Sequence, residues 1–61
     1  MDDEQARKML SLANDLSLNQ DFVEAIKLYD KIIETSKNSK YIKLARNKKV
    51  SSYYFWGKYD K

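Results

Sequence analysis

Four carboxylates, Asp15, Asp21, Glu24 and Asp30, are the residues of this chain best placed by type and spacing to attempt acid and base chemistry. They have little to work with. The sequence contains no His and no Cys, so the commonest catalytic base, the commonest metal ligand, the thiolate nucleophile and the disulfide are all absent. Helical spacing puts the four acids near helix ends or on outer faces, where capping and solubility place such residues. A chain of 61 residues leaves no room for a water-excluded pocket around them. Catalysis is therefore not expected, and neither is a cofactor or a bound metal.

Cations and aromatics form a second constellation. Lys40, Lys43, Arg46, Lys48 and Lys49 precede the run Tyr53, Tyr54, Phe55 and Trp56, a mixture that a nucleic-acid or acidic-surface site would use. The bases do not fall on one stripe of a helix, and Tyr53 and Trp56 are needed for a core. The pattern thus speaks against nucleic acid, although a basic-aromatic helix stays as an alternative. Charge is unevenly divided: residues 1–30 carry seven acids against three bases, a net of −4, and residues 31–61 carry nine bases against two acids, a net of +7.

Positioning these groups falls to helices. With no Pro and a single Gly, Gly57, the chain reads as all-α. Asp2, Asp3 and Glu4 can cap a first helix over about residues 3–18, in which Ala6, Met9, Leu10, Ala13 and Leu16 recur at helical spacing, with Leu12 and Leu18 beside them. "SLNQD" ends it. A second helix over about 21–37 carries Phe22, Ala25, Ile26, Tyr29, Ile32 and Ile33 on one side, with Asp21 and Glu24 spaced as a capping box. "SKNSK" is the next turn, where Asn38 suits a left-handed helix end and Ser39 a cap. A third helix over about 40–56, stopped by Gly57, has a weaker face of Ile42, Ala45, Tyr53 and Trp56, interrupted by Lys48 and Lys49. Short connections make the fold an antiparallel helical hairpin plus a third helix.

Size and polarity narrow the class. One domain spans residues 1–61, and a chain this short buries only roughly 60% of its unfolded surface. No apolar run approaches the roughly 20 residues that cross a bilayer. The opening "MDDEQARK" is acidic where a signal peptide is basic, so a cytoplasmic protein is expected.

The stretch "NDLSLNQDFVEAIKLYDKII" resembles a tetratricopeptide repeat, the helix-turn-helix unit of about 34 residues. Leu12 and Ala13 match the first-helix positions and Leu16 the bulky site a turn on. Phe22 matches the aromatic after the turn, Ala25 the small second-helix site, Tyr29 the next aromatic and Ile32 the small-to-medium site that follows. "RNKKVSSYYFWGKYDK" is similar to the first helix of a following repeat, with Val50, Tyr53, Gly57 and Tyr59 in the corresponding places. The likeness covers about one and a half repeats. It departs from the pattern in having Ala13 and Val50 for the preferred Gly, Lys37 where a Pro closes the repeat, and Gln20 where a turn Gly is common. A related likeness is to MIT domains, three-helix bundles of the membrane-remodelling ESCRT pathway with a similar "EAIKLY" segment; the Arg-Ala-Glu cluster usual in their third helix is missing here.

Both resemblances imply a protein-interaction module, an adaptor or scaffold that binds a peptide or helix of a partner. The tetratricopeptide likeness further implies the N-terminal part of a longer array, with a core of Leu12, Ala13, Leu16, Phe22, Ala25, Ile26, Tyr29, Ile32, Ile33, Ile42, Ala45 and Tyr53. It implies a groove lined by Leu10, Asn14, Asn47 and Tyr54. In chaperone-binding members a Lys and an Asn of the first helix and an Asn of the third hold a C-terminal carboxylate; Asn14 matches, Leu10 stands at the Lys position, and Asn47 is about one residue out of register. Tyr53, Tyr54, Phe55 and Trp56 point around the whole helix, so some are exposed unless a further helix, or self-association, covers them.

Overall fold

A computed structural model describes residues 1–57, and the proposed turn aromatic Tyr59 lies outside the described residues. Three helices follow in order: α1 (Asp3–Leu18), α2 (Phe22–Thr35) and α3 (Ser39–Trp56). The α1 start is a capping box, in which the Asp2 carboxylate accepts from the Gln5 N–H at 2.8 Å and the Gln5 side chain accepts from the Asp2 N–H at 3.2 Å.

The α1 end explains why Gln20 matters. The Asp21 N–H donates to the Leu16 carbonyl at 2.8 Å and the Gln20 N–H to the Ser17 carbonyl at 3.0 Å, the paired bonds of a Schellman ending. That ending requires a left-handed residue, and Gln20 supplies it with φ 68°. The same bonds cancel the expected Asp21–Glu24 box. Asp21 makes no side-chain cap bond, and its N–H, already given to Leu16, is not available to the Glu24 carboxylate, which pairs with Lys27 instead.

The second turn also differs in detail from the expectation. α2 stops at Thr35, and Asn38 is extended (φ −93°, ψ 113°) rather than left-handed. It is itself the α3 cap: its side-chain oxygen accepts from the Lys40 N–H at 3.0 Å, while its amide nitrogen donates to Asp3 Oδ2 at 3.1 Å. One side chain thus starts α3 and ties it to the start of α1. Gly57 ends α3 in the left-handed region at φ 85°.

α2 is the centre of the molecule, packing more extensively on α1 and on α3 than those two pack on each other. Ala6, Ala13, Ala25 and Ala45 are completely buried, and the methyl side chains of the last three let helix backbones approach closely around Tyr29 and Ile32, which are buried too. Ile26 completes the buried part of α2. The expected core positions Leu16, Phe22, Ile33, Ile42 and Tyr53 are half-buried. Leu12 is not core: it is 53% exposed, because the inward stripe of α1 runs through Ala6, Leu10 and Ala13, and Leu12 sits about 100° round the helix from Ala13. Val50, matched to a small close-packed site, is 46% exposed; in α3 those sites are Ala45 and Ser52.

Two side-chain contacts close the α2/α3 interface. The Phe22 ring stacks on Trp56 with centroids 6.4 Å apart. Lys49 pairs with Asp30, an ion pair between partly exposed groups that contributes on the order of 0.2–1 kcal/mol. The Asp30 hydrogen bond raises the Lys49 pKa above its ordinary value, outweighing the smaller opposing effect of burial.

Candidate binding groove

α1 and α3 run parallel. The Asp3–Asn38 bond joins them near one end and a 2.8 Å contact between the Ser17 and Ser52 hydroxyls joins them near the other, and each pair is separated by 35 residues in sequence. Ser52 is 2% exposed, so these two hydroxyls satisfy one another where larger side chains would hold the helices apart. Above this contact lies an open groove of about 750 Å³.

Ser17, Ser52 and Tyr29 line the groove. Tyr29 is almost wholly buried, and burial raises its phenol pKa. One part of the lining is apolar, from Leu18, Phe22, Phe55 and Trp56; another is polar, from Asn14, Ser51 and Lys48, with Gln20 contributed by the turn. Leu18 at 75% and Phe55 at 73% exposure are large apolar groups presented to solvent. The volume falls within the roughly 300–1,000 Å³ of ordinary ligand sites. A second hollow, about 480 Å³, lies between the start of α1 and the end of α2, lined by Met1, Gln5, Met9, Lys31 and Thr35 among others.

Of the four residues expected to line a groove, only Asn14 does so. Leu10 is buried in the core cluster with Ala13, Ala25, Tyr29, Ile32 and Ala45, since it falls on the inward stripe of α1. Asn47 and Tyr54 are exposed and belong to the solvent side of α3, one helical position away from Lys48 and Phe55, which do line it. Lys48 reads in the sequence as an interruption of the α3 face. It shares a side of the helix with Ser51 and Phe55, three and seven residues on, and that recurrence is the signal that marks the groove wall.

Chemically the described residues of the groove offer apolar surface, hydroxyl and amide hydrogen-bonding groups and one cation. Among the described residues no Asp or Glu lines it. Among the described residues no cluster of three or more acidic, His or Cys side chains is placed to hold a metal ion. No described helix is long and apolar enough to cross a membrane. No family model matches the chain, and neither a curated protein nor a solved structure matches it.

Proposed function

We propose that this chain is a protein-interaction module, an adaptor or scaffold whose α1/α3 groove receives a peptide or a short helix of a partner protein. The observation that carries the reading is the groove itself: aromatic and aliphatic walls in one part, and Asn14, Ser51 and Lys48 in another. An apolar anchor and a few directional polar groups are what peptide recognition by helical grooves requires. The tetratricopeptide and MIT resemblances lead to the same expectation by a separate route, the latter for peptide tails of ESCRT type.

Selection of random peptides displayed on phage, followed by calorimetry with the peptides obtained, tests it. Ser51→Trp fills the groove from an exposed helical position, so folding is retained while selected peptides lose binding. Peptides that bind the Ser51→Trp variant as well as the parent, or a selection that enriches nothing, would overturn the proposal.

A further inference from the structure

The exposed side of α3, which borders the groove at Lys48 and Phe55, has a composition that the groove does not account for. Its 18 residues include five bases and no acid. The sequence alone spreads those bases round the helix, but the structure separates them. Lys49 turns toward α2 and is neutralised by Asp30, whereas Lys40, Lys43, Arg46 and Lys48 are exposed and no carboxylate among the described residues pairs with them. About two turns beyond the last of these, Tyr54 and Phe55 stand 65% and 73% exposed, their rings edge to face at 5.7 Å.

We propose that this face binds single-stranded nucleic acid, with the four bases on the phosphate backbone and Tyr54 and Phe55 as stacking surfaces for unpaired bases. Uncompensated positive charge concentrated on one helix attracts a polyanion, and the excess of +7 in residues 31–61 adds to the steering. Phosphates alone would not explain exposed aromatic rings at the end of the basic run. Flat π-faces beside a cationic track are what sequence-tolerant single-strand binding uses. From Lys40 to Phe55 the helix rises about 22 Å, so track and platform lie within reach of one short strand.

The test is fluorescence anisotropy with a labelled oligothymidylate of about 15 nucleotides, and its ribose counterpart oligouridylate, titrated with the intact chain. Binding of either is expected. Log affinity should fall against log salt with a slope of about −2 to −3, as release of counterions from three or four phosphate contacts requires. The double variant Lys43→Glu/Arg46→Glu, at exposed positions, should weaken binding at least about tenfold and flatten that slope. Tyr54→Ala, outside the groove, should weaken it roughly five- to hundredfold with the slope unchanged, which a purely electrostatic contact would not do. Circular dichroism of each variant must match the parent. Absence of binding at low salt would overturn the proposal. So would equal affinity for polyglutamate, which would mean an acidic protein partner, or preference for a duplex or for anionic lipid vesicles.

Discussion

Gln20→Gly should make this protein more stable although it removes a side chain. Gln20 holds φ 68° because the α1 ending needs a left-handed residue between the Ser17 and Leu16 carbonyl bonds. An L-residue in that region costs roughly 1–2 kcal/mol, from β-carbon crowding that glycine lacks. Glycine's extra freedom in the unfolded chain takes back roughly 0.5–1 kcal/mol. Gln20 is exposed and its N–H is retained in the glycine variant, so little else changes. The net is a gain of about 0.5–1 kcal/mol, which for a chain of this size is a rise in Tm of about 2–8 °C. Gln20→Val, β-branched at the same φ, should lower Tm. Thermal unfolding followed by circular dichroism at 222 nm reads both. If the glycine variant melts no higher than the parent, or the valine variant melts with it, the left-handed turn is not strained and the account of the α1 ending fails.

Other residues give sharper discriminations. Leu10→Ala should cost about 2–4 kcal/mol, because Leu10 is core; a groove-lining leucine would leave denaturant midpoints almost unmoved. Phe22→Ala removes the half-buried ring stacked on Trp56 and should cost about 2 kcal/mol, below the value for a fully buried Phe; an unchanged urea midpoint would exclude the α2/α3 stack. Stability should hold through neutral pH and fall at alkaline pH. Tyr29 and Lys49 both have folded pKa values raised above their ordinary 10.0 and 10.5, so both favour folding below those values and lose that contribution as pH rises through the higher folded ones. Lys49→Met should make the fall above about pH 10 shallower, and urea midpoints across that range check it.

Helices were legible in this sequence, and much of the contact geometry was not. Acidic residues before Gln5, the glycine at 57 and the apolar periodicity of α2 are local signals, and they place the elements close to where they form. Leu10 and Leu12 show the limit. Both are leucines near a helical stripe, and Leu10 faces the core because it shares the inward stripe of α1 with the buried Ala6 and Ala13, which equal hydrophobicity does not reveal. Asn38 has the residue type of a left-handed helix end, but its bond to Asp3 across the molecule favours an extended cap. Ser17 and Ser52 carry no sequence signal of a shared site, because their meeting follows from the parallel alignment of α1 and α3. Lys48 and Lys49 are adjacent and alike, yet one lines the groove and the other pairs with α2, since about 100° of helix separates them.

The most direct test of the central claim is a two-dimensional ¹H–¹⁵N NMR titration of the labelled chain with a peptide from the display selection. Shifts are expected to cluster on Asn14, Ser17, Ser51 and the Trp56 indole, with Gln5, Lys31 and Thr35 unmoved. Shifts gathered instead on that second set, with the α1/α3 groove silent, would contradict it.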